Sequence, residues 1–170
     1  RQAISLAIDY EEYISIFTNG RGIVAQSPIP PGIFGYQDGI KKYNKTLFNM
    51  DNQRLVKKTL RDAKLLMKKA GYENGIDINT GKPLVLYFEA TGAGADTYSF
   101  LNWLRKQFKK IEIQLVTRVT DYNRFQEKMI NGTGQIFQWG WNADYPDPEN
   151  FLFILYSKNG KVNYSGENAA

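Results

Sequence analysis

The chain contains neither cysteine nor histidine. Their absence removes disulfides, thiol nucleophiles, the usual zinc and haem ligand sets, and any catalytic triad with imidazole as base. It also fits an oxidising compartment. No apolar run approaches the roughly 18 residues that a membrane-spanning helix needs, so no such span is expected. A concentrated basic block is missing too. The charge of +5 comes from 22 Lys and Arg against 17 Asp and Glu, and the lysine pairs Lys41-Lys42, Lys57-Lys58, Lys68-Lys69 and Lys109-Lys110 are scattered. Nucleic-acid binding calls for clustered bases with aromatics among them. Here the aromatics gather with acids, and the lysines read as solvated helix faces.

Phosphate-binding loops are also absent. Residues 91–96, Thr-Gly-Ala-Gly-Ala-Asp, stand between a predicted strand and a predicted helix, but they match neither G-x-x-x-x-G-K-[ST] nor G-x-G-x-x-G. Tight turning accounts for these glycines. Asn44-Lys-Thr, Asn131-Gly-Thr and Asn163-Tyr-Ser fit the glycosylation pattern, which is short enough to recur by chance.

What is present is 42% apolar residues and 14% aromatics, enough for a folded core in a chain of 170 residues. Residues 1–17 predict helix broken at Asp9, which can cap a new start with Glu12 three residues on, as in a capping box. Asn19-Gly20 and Gly22 end it. Three prolines in residues 27–36 exclude regular structure, leaving an ordered connection or an inter-lobe linker. A helix is predicted over residues 52–70, because Val56, Leu60, Ala63, Met67 and Ala70 form one stripe. Asp51 would be its N-cap and Gly71 its C′ residue.

A regular alternation follows. A strand is expected at 84–88, a glycine-rich loop at 89–95, and a helix from a cap at Asp96 to about residue 110, with Tyr98, Leu101, Leu104 and Phe108 on one face. Ile111, Ile113 and Leu115 alternate as a strand does. Asp121 can cap a helix with Tyr122, Phe125 and Met129 on one side and Gly132 at its end, before a strand at 135–139. Strands separated by such helices imply βαβ units, right-handed crossovers and a largely parallel sheet: an α/β fold.

The densest chemistry lies in Trp139-Gly-Trp-Asn-Ala-Asp-Tyr-Pro-Asp-Pro-Glu-Asn-Phe151, directly after the buried strand expected at 136–139. Ligands in open α/β sheets bind at the C-terminal ends of strands. Pro146 and Pro148 fix φ and push Tyr145 and Asp147 toward extended backbone, so the carboxylates Asp144, Asp147 and Glu149 sit on a stiff loop. A tight turn that covers the edge of the core is the competing reading. The spacing lacks the ligand pattern and the glycine of a calcium loop. A glycosidase acid pair, Asp144 with Asp147 beside sugar platforms at Trp139 and Trp141, remains an alternative, although one short loop seldom flanks a scissile bond from both sides.

Several segments together resemble the extracytoplasmic solute-binding proteins of ABC importers, in the class that takes peptides, dipeptides and nickel. They are Arg1-Gln-Ala-Ile-Ser-Leu-Ala-Ile-Asp9, Asn19-Gly20 with Ser27-Pro-Ile-Pro-Pro-Gly32, Ala63-Lys-Leu-Leu-Met-Lys-Lys-Ala-Gly-Tyr72, Gly81-Lys-Pro-Leu84, the Trp139 to Phe151 loop, and Asn163-Tyr164. The resemblance implies a periplasmic-binding-protein-like lobe. Residues 1–170 would form most of the second lobe of a two-lobe receptor cut at both ends, which the opening without Met also suggests. It further implies a non-enzymatic, monomeric, periplasmic or extracytoplasmic protein without cofactor or metal, one that hands its ligand to a membrane permease.

By the same resemblance, Asp144 pairs with a peptide's α-ammonium, and the backbone at Trp141 and Asn142 contacts the peptide main chain. Tyr145, Trp139 and Gln138 complete the expected ligand-binding set. Gln138 stands where oligopeptide binders can carry an arginine. Residues 89–96 also lack the arginine that dipeptide binders use for the ligand carboxylate, so a longer peptide or another cationic ligand is open. Glu112 replaces the usual glycine before the second strand, a change expected to affect local turn geometry. Against this binding reading stand a carbohydrate-active hydrolase or carbohydrate-binding domain using Asp144 and Asp147 with Trp139 and Trp141, and a nucleic-acid-binding domain driven by the charge of +5.

Overall fold

The computed structural model describes residues 1–37, 43–52 and 54–156. Lys41-Lys42 and Asn163-Tyr164, with the Asn163 glycosylation pattern, lie outside them. The chain divides into two compact units, one holding residues 1–26, 39–86 and 94–116, the other 27–38, 87–93 and 117–170.

In the first unit, α1 (Gln2–Ala7) buries Ala3, Leu6 and Ala7 and lies against α3 (Leu60–Lys69) and α4 (Ala95–Lys109). Asp9 caps α2 (Tyr10–Phe17) as expected, its side chain accepting from the Glu12 N–H at 3.2 Å. Glu12 does not turn back to complete a capping box. Its carboxylate accepts instead from Trp103 Nε1 at 2.9 Å and Gln107 Nε2 at 2.8 Å, and Gln107 Oε1 takes up the Asp9 N–H at 3.3 Å. A charge-assisted link between helices replaces the local one. Tyr13, Phe17, Phe100 and Trp103 pack beside it, with edge-on geometry in three of the pairs.

The helix expected over residues 52–70 is half that length. Residues 48–57 form an antiparallel hairpin of β1 (Phe48–Asp51) and β2 (Arg54–Lys57), with Phe48 opposite Lys57 and Asp51 opposite Arg54. Asp51 therefore ends a strand and caps no helix, and Asn52 turns the chain at φ +44°. The cap is Thr59. Its N–H and hydroxyl both donate to the Asp62 carboxylate, at 2.7 and 2.8 Å. Ala63 and Met67 are buried as the stripe required, whereas Val56 and Ala70 are exposed. Spacings of three and four cannot separate helix from hairpin over so few apolar residues. Gly71 follows the helix at φ +83°, as expected of C′.

Glu112 occupies the left-handed region at φ +61°, where glycine would be at ease. Gly75 is pressed against it, and a Cβ on Gly75 would overlap the Glu112 carbonyl oxygen. Glu112 thus stands in a constrained turn, and its side chain is tied to Lys64 at 3.3 Å.

The alternating half of the chain is α/β, with a parallel sheet in the order β4-β3-β5. β3 (Val85–Thr91) runs three residues further than expected and takes Glu89, Ala90 and Thr91 out of the loop. Gly94, at φ +119°, is the cap of α4, and Asp96 falls in its first turn. Leu101, Leu104 and Phe108 are buried together with Trp103 and Gln107, but Tyr98 faces out. β4 spans Gln114–Thr120, later than the alternation at Ile111, Ile113 and Leu115 suggested, although all three are buried.

In the second unit, Asp121 caps α5 (Tyr122–Ile130) by accepting from the Arg124 N–H. Phe125 and Met129 are buried, Tyr122 is not, and Gly132 closes the turn at φ +63°. β5 is reduced to Ile136–Phe137, half-buried and paired in parallel with Phe88 and Glu89 of β3. Glu89 is only 2% exposed. Lys128 Nζ meets its carboxylate at 2.5 Å and Arg118 Nη1 at 3.5 Å, and the Arg118 guanidinium also stacks 3.9 Å above the Tyr87 ring. Two cations on one buried carboxylate make this charge tolerable inside the unit.

Candidate functional site

The loop after β5 is organised by a short helix that sequence reasoning missed, α6 (Pro148–Leu152), followed by a 3-10 turn at Phe153–Leu155. Asp147 is its N-cap, extended at φ −123°, and its carboxylate accepts from the Glu149 N–H at 2.9 Å. The signal was in the sequence: Asp followed by Pro is a helix start, with proline at N1 where no N–H is needed.

The loop carboxylates therefore differ in what they are free to do. Asp147 is committed to the cap. Glu149 accepts from the Tyr145 hydroxyl at 2.5 Å, a bond that raises the phenol's pKa above its ordinary value and keeps it a neutral donor. Asp144 is exposed, and among the described residues its carboxylate has no side-chain partner. Only its backbone is held, the N–H donating to Asn150 Oδ1 at 3.2 Å.

The aromatic side chains of the expected set divide in the same way. Trp139 is half-buried and edge-on to Phe125 and Tyr122 of α5, with ring centroids 5.4 and 6.3 Å away. Its ring is built into the unit's packing. Trp141 is 41% exposed and Tyr145 46% exposed, and they stand on either side of Asp144 in the chain. The Trp141 indole is nonetheless fixed: Nε1 donates to Asn150 Oδ1 at 3.0 Å, and Phe153 packs edge-on at 5.1 Å. Gln138 and Asn142 are exposed. The structure thus brings Trp141, Asp144 and Tyr145 into one loop cluster, with Trp139 anchoring its start. No group of three or more carboxylates suited to hold a metal ion occurs among the described residues.

The loop thus carries one available carboxylate, flanked in the chain by two exposed aromatic residues. That suits a cationic group, which gains from the charge and from the ring faces alike.

Comparison with known proteins covers nearly the whole chain. The dipeptide-binding protein of Escherichia coli (strain K12) is 25% identical over 158 residues, 92% of this chain and 26% of its own length. Heme-binding protein A of Haemophilus influenzae is 25% identical over 170 residues, 100% of this chain and 27% of its own. The chain thus spans about a quarter of the length of these curated relatives. Among solved structures, the periplasmic binding protein DppA of Helicobacter pylori in complex with the peptide STSA superposes with a TM-score of 0.69 at 26% identity, over 93% of this chain and 26% of that one. A dipeptide-binding protein of a Pseudoalteromonas species in complex with Met-Leu shares the fold, with a TM-score of 0.72 at 24% identity over 99% of this chain and 29% of that one. The family model for the middle region of bacterial extracellular solute-binding proteins, family 5, matches residues 1–163. These are binding proteins and not enzymes, so the hydrolase reading of Asp144 and Asp147 falls away, and the chain belongs to family 5 of the bacterial extracellular solute-binding proteins.

Proposed function

We propose that this chain is part of the second lobe of a peptide receptor for an ABC importer, and that Asp144 receives the ligand's α-ammonium in a cleft completed by the other lobe. The observation that carries the reading is the availability of Asp144. Of the three loop carboxylates it alone accepts no hydrogen bond among the described residues, and the exposed rings of Trp141 and Tyr145 flank it in the chain. Relatives named for dipeptides and oligopeptides support the ligand class. Closure of two lobes on the ligand would remove water from the ion pair and strengthen it. The Haemophilus relative is named for haem; this chain has no histidine or cysteine, which leaves tyrosine and methionine as its axial ligand types.

The test is titration calorimetry on the complete polypeptide that carries this chain, with tri-alanine and N-acetyl-tri-alanine. Binding of the free peptide that acetylation weakens at least tenfold is expected. Equal affinity for both peptides would overturn the assignment of the ammonium to this loop.

A further inference from the structure

Asn150 lies on α6, is 2% exposed, and belongs to no expected binding set. Its Oδ1 accepts from two donors, the Trp141 indole N–H at 3.0 Å and the Asp144 backbone N–H at 3.2 Å. Its own N–H donates to the Asp147 carbonyl at 3.1 Å. One side-chain oxygen with two lone pairs is thereby filled by two positions of the exposed loop, and the residue carrying it is locked to a third.

We propose that Asn150 is a positioning residue for ligand binding, setting the Trp141 ring and the Asp144 segment in register before a ligand arrives. The ligand part rests on the peptide reading above; the fixing of the loop does not. An exposed loop of this kind would otherwise lose conformational freedom on binding, and holding it beforehand lowers that cost. The bond also settles what Trp141 can offer. With its N–H spent on Asn150, the indole has no hydrogen left for a ligand carbonyl or carboxylate. It presents a ring surface only. Recognition at this end of the site is therefore of a cation with apolar surroundings, which agrees with an available Asp144 and with Gln138 in place of an arginine. Phe153 packs edge-on against the indole at 5.1 Å, a second contact that a turn of the ring would disturb together with the Asn150 bond.

Two substitutions separate this role from bulk packing. Asn150→Asp keeps an oxygen acceptor of the same shape, and Asn150→Leu keeps the volume without an acceptor. Both are made in the complete polypeptide and read by exchange of the Asp144 amide, by tryptophan fluorescence, and by calorimetry with tri-alanine. In the wild type and Asn150→Asp, the Asp144 amide should exchange at least about tenfold more slowly than an unprotected amide. In Asn150→Leu that protection is lost and the tryptophan emission shifts. Affinity falls about tenfold or more in Asn150→Leu, which leaves two donors without their acceptor; Asn150→Asp is judged by amide exchange, because its added charge beside Asp144 changes cation affinity in its own right. An Asp144 amide that exchanges at the unprotected rate in the wild type overturns the proposal, and that measurement holds even where Asn150→Leu fails to fold. Wild-type affinity in a folded Asn150→Leu overturns it as well. A wild type that ignores tri-alanine while the exchange pattern holds supports the positioning of the loop and sinks the peptide reading instead.

Discussion

At Asp144 the chemistry turns on what the neighbouring carboxylates are already doing. Asp147 holds the start of α6 and Glu149 holds the Tyr145 hydroxyl, so replacing either disturbs the loop before it disturbs a ligand's charge. Asp144→Asn should leave the fold intact and weaken binding of peptides with a free amino terminus. Removing one member of a desolvated charge pair costs roughly 2–5 kcal/mol, a loss of about 30-fold or more. N-acetylation should produce a similar loss in the wild type and little further loss in the variant. Independent, additive losses in that four-way calorimetric comparison would show that Asp144 does not hold the ammonium. A second residue-scale prediction concerns the turn at Gly75. Its φ of +72° and its contact with the Glu112 carbonyl leave no room for a side chain. Gly75→Ala should therefore destabilise by about 2 kcal/mol or more in urea unfolding, and an unchanged midpoint would contradict the geometry.

Among the elements, α3 carries the clearest dependence on pH. Hydrogen bonds to Asp62 from the Thr59 N–H and hydroxyl lower its pKa below the ordinary value of 3.8. A carboxylate whose folded pKa is depressed contributes stability that is full above its unfolded pKa and disappears as the pH falls through the folded one. The window thus lies at and below the ordinary carboxylate range. The difference in urea midpoint between wild type and Asp62→Asn should be largest near neutrality and shrink as the pH falls from about 5 toward 2. A difference that grows on acidification would rule out the cap as its source. In the second unit, α5 is held by Phe125, which is 1% exposed and touches the rings of Phe137 and Trp139 edge-on. Phe125→Ala should cost about 3–5 kcal/mol and alter the emission of Trp139, measured by denaturation followed through fluorescence.

For the whole molecule, the relevant fact is proportion. The chain spans about a quarter of its curated relatives, and in the proposed two-lobe reading the cleft takes its walls from both lobes. Ligand sites gain most of their affinity by surrounding the ligand. The chain of residues 1–170 alone is therefore expected to bind tri-alanine at least about 100-fold more weakly than the complete polypeptide, a difference of roughly 2.7 kcal/mol. Equal affinity in the two would mean that a single lobe suffices.

The sequence alone determined the features whose causes lie within a turn or so of chain. The caps at Asp9 and Asp121, the left-handed glycines at 71 and 132, and the buried faces of α4 and α5 follow from hydrogen bonds and spacings three to five residues apart. The α/β alternation followed from the same local signals, and the aromatic, acidic loop was conspicuous by composition. Tertiary structure decided the rest. Val56 fits a helical stripe and a hairpin strand equally well, and pairing with Asn49 across the hairpin chose the strand. Glu89 reads as a loop acid until Lys128, 39 residues away, and Arg118 neutralise it inside the unit. Glu12 abandons its own helix cap for partners 91 and 95 residues distant. Within the loop after β5, the order of residues marks Asp147 before Pro148 as a helix cap, but it does not show that Glu149 is taken by the Tyr145 hydroxyl. Which oxygens already have a donor is decided by the local path of the loop into α6, and side-chain rotation there is fixed only in the folded structure.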